Sequence, residues 1–400
     1  MTTPTVMDAF SRLMADLFDL RKMIAVPTGF LAFFAGGTGD TIYSPDAETV
    51  DIDIIKGNKK TAALIPRGGS ITKYLGPDQR DFVTDKFYQV SRVYPLSKVE
   101  DVINASQLSN RMAGEDPYKP ATRFQRLRKK ALDLHVENAR KTARLHERLA
   151  AQAILTGKQD AILGTTDSSL QYDFQRNTDH IITAGTAWTE ASATPIGKLD
   201  EWAKRIERNG HTKVDFVGAA GNVMKAFIQH TEVSGLADNR RYELVRVGQN
   251  NPVPAKFDRF TKNGWVCNAK ITTFEGREMW LFTYQGHYEN DSGTVIDLLP
   301  SGYLVMADSQ ARCDRYFGPP EILPMIEMRR QFYQQMFGLD LSLAGVPGAT
   351  DDSSIFDPRM FYADAYPDQG WTSVTIRTWS APIFAPIHTD AFLTVTGLAA

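Results

Sequence analysis

One stretch of this chain restricts its architecture more than any other: from Tyr118 to Thr156 the residues spell a single long helix. Phe124, Leu127, Ala131, Leu134, Leu145, Leu149 and Ala153 recur at spacings of three, four and seven, the pattern of one apolar stripe, with a weaker patch at Asn138 and Thr142. Pro117 and Pro120 punctuate its start, and Gly157 followed by Lys158 supplies the stop. At 1.5 Å per residue such a helix runs for roughly 55 Å, more than the diameter of a compact small domain. The remaining sequence reads mostly as strands, turns and loops. A helix of that length on a β-rich chain implies an extended, plate-like subunit that completes its burial against neighbours.

Four hundred residues, 42% hydrophobic and 23% charged, fit an ordinary folded chain of two or three domains. The 45 Lys and Arg nearly balance the 47 Asp and Glu, so no global field draws the whole chain onto nucleic acid or an acidic membrane. Charge is uneven locally. Arg123, Arg126, Arg128, Lys129, Lys130, Arg140, Lys141, Arg144 and Arg148 face only Asp133, Glu137 and Glu147 along the helix. That run is either a surface toward DNA or a solvated face paired with acids elsewhere. Cys267 and Cys313 are too few for a disulfide or cysteine-zinc framework and are expected as free thiols in a reducing compartment. The apolar run Met23 to Ala35 is interrupted by Pro27, Thr28 and Gly29 and is too short to span a bilayer. Met1 to Ser11 lacks the basic start and cleavage pattern of a secretory signal. The expectation is a soluble intracellular product with no membrane partner.

Along the chain, Val6 to Ile24 reads as a short amphipathic helix, and Thr28 to Ile42 is rich in Gly and Phe. Phe30, Phe33 and Phe34 look exposed there and should seek a partner surface. Val50, Ile52 and Ile54 alternate with acids, Ala62 to Ile65 follows a Gly57-Asn58 turn, and Phe82 to Val93 returns as a strand. This long hairpin, opened by Pro66, Arg67, Gly68, Gly69 and Ser70, must rest on something, because an isolated hairpin is marginal in water. Gln171 to Thr183 reads as strand and turn, with a boundary at Ala184 to Pro195. An α/β segment follows: helix Ile196 to Arg208, strand Lys213 to Val217, helix Ala219 to His230. Trp280 to Tyr288 and Tyr303 to Ala307 add strands, and Gly338 to Tyr366 reads as a surface loop. Strand patterning returns at Ser373 to Thr378 and Ala391 to Thr396, broken by Pro382 and Pro386.

Motifs of catalysis and cofactor binding do not emerge. His135 and His146 share a helix face but sit roughly 16 Å apart along its axis, too far for one ion. His146-Glu147 opens like a zinc-protease motif, but Ala150 stands where the second His belongs. Gly157-Lys158 resembles the end of a phosphate loop, yet Gln152 and Gln159 replace its first Gly and its Ser or Thr. Gly36, Gly37 and Gly39 follow no clear strand, and no Gly-x-Ser-x-Gly elbow occurs. The expectation is no enzyme, no cofactor and no metal site.

Several segments in order resemble the lambda-type major capsid proteins, the phage major capsid protein E family. They are Pro27-Thr28-Gly29-Phe30-Leu31-Ala32-Phe33-Phe34, the strands leading to Arg67-Gly68-Gly69, and Ala153-Ile154-Leu155-Thr156-Gly157-Lys158. Tyr172-Asp173-Phe174, Asn177, Ile181-Ile182-Thr183 and Trp188 continue the series. Asp308-Ser309-Gln310-Ala311-Arg312 and Ser380-Ala381-Pro382 with Asp390, Phe392 and Val395 complete it. The similarity spans Pro27 to Leu398 and departs most at Gly338 to Tyr366.

The resemblance implies an α+β Hong Kong 97 capsid fold. Its parts would be an N-terminal arm (1–48), an E-loop hairpin with flanking strands (49–94) and a peripheral domain (95–194) with the spine helix at about 118–157. An axial domain (195–315), its remainder with surface loops (316–371) and C-terminal strands of the peripheral domain (372–400) would follow. The implied function is a major capsid protein that self-assembles as pentamers and hexamers into an icosahedral phage or prophage head. The head would be assembled in the host cytoplasm and enclose double-stranded DNA without sequence specificity. Scaffolding, portal and decoration proteins are further candidate partners. The inter-subunit candidates are Phe30, Phe33, Phe34, Arg67, Lys73, Tyr74, Leu75 and Arg80. An encapsulin-like compartment and a nucleic-acid-binding module built on the basic helix are the alternatives.

Overall fold

The structure, a computed structural model, describes residues 28–35, 40–43, 49–56, 86–104, 123–161, 171–237, 242–244, 253–290, 292–318, 362–367 and 373–399. In chain order they form α1 (Leu31–Phe34), β1 (Thr41–Tyr43), β2 (Thr49–Lys56), β3 (Lys86–Val93), β4 (Ser97–Asn104) and α2 (Arg123–Thr156). Next come β5 (Lys158–Asp160), β6 (Gln171–Asp173), β7 (Ile181–Thr183), α3 (Pro195–Gly210), β8 (Phe216–Ala219), α4 (Gly221–Gln229) and α5 (Thr231–Ala237). Then follow β9 (Tyr242–Leu244), α6 (Asp258–Thr261), β10 (Trp265–Thr272), β11 (Glu278–Tyr284), β12 (His287–Glu289) and β13 (Val295–Asp297). The chain closes with β14 (Leu304–Ala307), β15 (Cys313–Phe317), β16 (Tyr362–Pro367), β17 (Ser373–Ser380), β18 (Pro382–Pro386) and β19 (Phe392–Thr396).

The long helix is α2. It is described from Arg123; the expected start at Tyr118 lies outside the described residues. Ala131 is buried, and from Asn138 onward most of the circumference of the helix is covered. It lies across β4, β17, β18 and β5, so strands that precede it, follow it directly and close the chain meet on it. Asn138 and Thr142, the weak patch of the sequence stripe, are fully buried, and the Thr142 hydroxyl donates 3.0 Å back to the Asn138 carbonyl. The helix stops where expected. Gly157 takes φ +70°, a left-handed value that favours glycine, and its N–H donates 3.0 Å to the Ala153 carbonyl.

Seven strands form the largest sheet, in the order β7-β19-β14-β8-β11-β10-β9. Its centre is apolar on both faces: every residue of Phe216–Ala219 and Leu304–Ala307 is buried. Two smaller sheets, β1-β15-β18 and β16-β17-β4, sit beside the long helix, and β2 pairs with β3 over eight residues. That pair is the base of the expected hairpin. Ile52 and Ile54 are buried and β2 rests on the segment Thr389–Ala391, the support that an isolated hairpin would lack. The remainder of the hairpin, including Ala62 to Ile65, lies outside the described residues.

Three expectations need correction. Pro382 and Pro386 do not break the closing pattern; they end β18, an edge strand paired with β15, where a missing N–H costs little. The loop expected from Gly338 to Tyr366 already contains β16 at its far end, paired with β17. The closing strands also do not form one group. β17 joins β4 and β18 joins β15, whereas β19 lies inside the large sheet between β7 and β14, so the closing strands enter three different sheets. Several strands have no counterpart in the sequence pattern: β10, whose alternation is interrupted by a bulge between Cys267 and Ala269, β4, and the short β1, β5, β9, β13, β15 and β18.

Candidate functional site: the anchored arm and the faces around it

The Gly- and Phe-rich segment before β1 is an anchor. Phe30 caps α1 and Leu31 begins it, and their N–H groups have no partner within so short a helix. Glu147 of α2 supplies both: Oε1 accepts from Phe30 N at 2.7 Å and Oε2 from Leu31 N at 2.9 Å. The Tyr284 hydroxyl of β11 donates to the same Oε1 at 2.7 Å and accepts from Gly29 N at 3.3 Å. One carboxylate thus ties the amino-terminal segment to the long helix and to the large sheet. Gly29 must be glycine for steric reasons, since a Cβ there would lie 2.5 Å from the Tyr284 ring and 2.6 Å from Trp265 Nε1.

Phe30, Phe33 and Phe34 were expected to cover a neighbour, and the structure corrects this. All three rings are buried in the chain's own core, with Phe30 at 0% exposure. Phe30 meets Trp265 and Tyr284 edge-on at 5.4 and 5.3 Å, and Phe34 meets Phe384 at 5.4 Å. Phe33 contacts Phe216, Phe260 and Phe392, with ring centroids 4.7 to 5.6 Å away. The aromatics do need a partner surface, but β8, α6, β11 and β19 of the same chain provide it. Arg67, Lys73, Tyr74, Leu75 and Arg80 lie outside the described residues.

Sequence reasoning missed the polar groups that lock this core. Burial raises Glu147 to about 7 despite its three donors, and it raises the Tyr284 phenol as well. His146, the neighbouring residue on α2, is pushed down to about 3 by burial and then by Arg315, and its Nε2 lies 2.8 Å from Ser380 Oγ on β17. Gln159 is fully buried: its amide oxygen accepts from Phe384 N at 2.8 Å and its nitrogen donates to the Pro382 carbonyl at 3.1 Å, closing the free edge of β18. A signal existed, since His146 and Glu147 sit beside Leu145 and Leu149 near the apolar stripe; charge at such a place implies dedicated partners.

These two neighbours titrate in opposite senses. Glu147, raised from 4.5, adds stability that is fully present below 4.5 and lost as pH rises to about 7. His146, lowered from 6.5, adds stability present above 6.5 and lost as pH falls toward about 3. Between 4.5 and 6.5 their slopes cancel. Relative to the unaltered protein, Glu147→Gln should lose stability as pH falls through that window and His146→Gln should gain it, each by roughly 1.4 kcal/mol per pH unit. Thermal melts of the unassembled subunit across pH 4.5 to 7 measure this, and parallel profiles for all three proteins would contradict it.

The basic run on α2 divides. Lys129, Lys130, Arg140 and Arg144 are exposed, whereas Lys141 stands 3.5 Å from Glu137 and 3.7 Å from Asp101, and Arg148 covers the Tyr288 ring at 4.5 Å. Among the described residues no group of three or more His, Cys, Asp or Glu is placed to hold a metal ion, and no helix is long and apolar enough to cross a membrane.

Comparison with known proteins bears on this arrangement. A family model described as phage major capsid protein E matches residues 39–324. No curated protein sequence matches the chain. A crystal structure of a protein assigned as the capsid protein of a prophage of E. coli CFT073 is similar over 96% of this chain and 97% of that chain, at TM-score 0.59 and 16% identity. A phage-related protein from Bordetella bronchiseptica RB50 is similar over 96% of each chain, at TM-score 0.45 and 10% identity.

Proposed function

The chain belongs to the phage major capsid protein E family, and from that premise we propose how its parts build a shell. It is a major capsid protein with the Hong Kong 97 fold, a structural subunit of the virion capsid. The subunit assembles with copies of itself, and we read those copies as pentamers and hexamers that close by curvature through head-to-tail contacts. The family match over residues 39–324 carries this reading.

In this reading the segment before Thr28 is an arm that reaches a neighbour, and its root is the Phe30 to Phe34 plug. A plug tied by Glu147 and Tyr284 lets tension on the arm pass into the long helix without unfolding the core. The strand pair β2 and β3 carries an E-loop whose tip lies over an adjacent subunit through Arg67, Lys73, Tyr74, Leu75 and Arg80. Residues 195–315 form most of the axial domain, and the long helix is the spine of the peripheral domain. The exposed Lys129, Lys130, Arg140 and Arg144 suit loose, sequence-independent screening of packaged DNA, because isolated surface bases hold phosphate without reading bases. Scaffolding, portal and decoration proteins complete the partners, and assembly takes place in the host cytoplasm.

Replacing Gly68 to Arg80 by an Asn-Gly turn tests the E-loop directly. Shortening a surface loop is tolerated thermodynamically, so the subunit should keep its circular dichroism and melting temperature. Shells should fail to form or should fall apart during sedimentation. Robust shells from this variant would remove the inter-subunit role of the hairpin, and a loss of folding would assign it to the core.

A further inference from the structure

The turn between β10 and β11 is held more firmly than a connection needs. Thr273 N–H donates to the Arg277 carbonyl at 2.9 Å, Gly276 N–H to the Thr273 carbonyl at 3.0 Å, and Arg277 N–H to Thr273 Oγ1 at 3.2 Å. The Arg277 guanidinium then clamps the turn onto α3 through Glu207 at 2.8 and 2.9 Å and Asp200 at 3.3 Å, and Lys204 of α3 pairs with Glu275. All this order presents one large apolar side chain, Phe274, to solvent at 52% exposure. A rigid turn that displays an aromatic ring loses little entropy on binding, which is how interface anchors are built.

A recess lies on the other flank of the same helix. The connection after β7 and the amino-terminal half of α3 enclose an open groove of about 390 Å³, with Ile182, Trp188, Trp202 and Leu398 in its walls and Lys198 and Arg205 at its rim. At 100° per residue, Lys198, Glu201 and Arg205 point roughly 125° away from Asp200, Lys204 and Glu207 around α3. Strand direction separates the two features further, since the turn follows β10 at one end of the large sheet and the groove follows β7 at the other. A knob and a recess on different sides of one body cannot meet within a chain. They suit a head-to-tail contact between copies, which closes into rings. Charge agrees: the clamp around the knob holds the acids Asp200, Glu207 and Glu275 against Lys204 and Arg277, and the groove rim holds the bases Lys198 and Arg205 against Glu201.

We propose that Phe274 of one subunit docks into the Ile182, Trp188 and Trp202 groove of a second copy, as a ring-forming contact of the shell. The proposal rests on the shell reading above, and its test separates the two. The double variant Glu275→Cys with Ser192→Cys, which leaves the Phe274 ring in place, is assembled, its shells are verified by electron microscopy, and the shells are oxidised and run on a non-reducing gel. Both positions are exposed, while the native Cys313 is buried and burial pushes Cys267 up to about 11, which keeps the native thiols quiet. A ladder of covalent oligomers is expected from the double variant and none from either single variant. Intact shells without a ladder would overturn the contact and leave the shell function standing, whereas absence of shells from the unaltered protein would remove the reading beneath it. Phe274→Lys gives an independent arm: the subunit should fold and lose its shells, and shells of unchanged thermal stability would overturn the proposal.

Discussion

Replacing Phe33 by Ala should cost the unassembled subunit about 3 to 5 kcal/mol, the range for deleting a fully buried aromatic ring. The reason lies in sequence separation. Phe33 meets Phe216 on β8, Phe260 on α6 and Phe392 on β19, so one ring joins the amino-terminal segment to three distant parts of the chain. The site has little room to collapse, because the surrounding rings also pack on one another: Phe216 stacks on Phe282 at 4.6 Å and stands edge-on to Trp265 at 5.0 Å. Changing Phe30, Phe33 and Phe34 together to Ser should leave no folded subunit. Urea denaturation monitored by tryptophan fluorescence measures the single variant, and soluble yield reports the triple one. An unchanged midpoint for Phe33→Ala would show that the plug is peripheral and that the aromatics serve a neighbour after all.

Arg176→Met should destabilise by about 3 kcal/mol, on the scale of breaking a buried charged network. Arg176 lies in the turn before β7, and its guanidinium reaches the carbonyls of Ala153 and Leu155, both at 3.3 Å, at the end of the long helix. The Leu155 carbonyl lies beyond the last donor of the helix, the Ala153 carbonyl accepts from Gly157 N as well, and a positive charge there opposes the negative end of the helix dipole. Burial lowers Arg176 to about 10, with Asp390 working the other way, so it stays charged at neutral pH. Met keeps most of the apolar stem and removes the charge, which leaves the buried Leu155 carbonyl bare and the charge of the helix end uncompensated. Arg176→Lys should recover only part of the loss, since a point charge cannot span both carbonyls as the planar guanidinium does. Equal stability of the Met and Lys variants would show that only packing matters at this position.

Much of this fold is written in local pattern, and the exceptions share a cause. The long helix, its glycine stop, β2 and the helix at 195–210 follow from periodicity and capping, and the strands β14, β17 and β19 follow from short runs rich in β-branched and apolar residues. β10, β15 and β18 do not. A bulge shifts the alternation of the first, and the other two are five-residue strands buried throughout, with prolines at the ends of β18, so no alternating pattern survives. The plug shows a different limit. Composition says that three phenylalanines near Gly29 need apolar cover but not whose, because the cover comes from β8, β11 and β19, which lie about 180 or more residues away and meet only through the sheet order. Glu147 was visible only as a charge near an apolar stripe; its partners Phe30, Leu31 and Tyr284 are tertiary facts. The knob at Phe274 and the groove beside Trp188 lie on opposite flanks of α3, a relation that no linear spacing encodes.

The central claim, that this chain is a shell subunit whose copies meet through heterologous contacts, is tested most directly by cryo-electron microscopy of the purified protein at near-neutral pH. The account predicts closed icosahedral particles built of five-fold and six-fold clusters, with the Phe30 to Phe34 plug inside each subunit and the β2 and β3 hairpin crossing to a neighbour. A uniform population of monomers or small two-fold dimers, under conditions where the subunit is folded and concentrated, would contradict it.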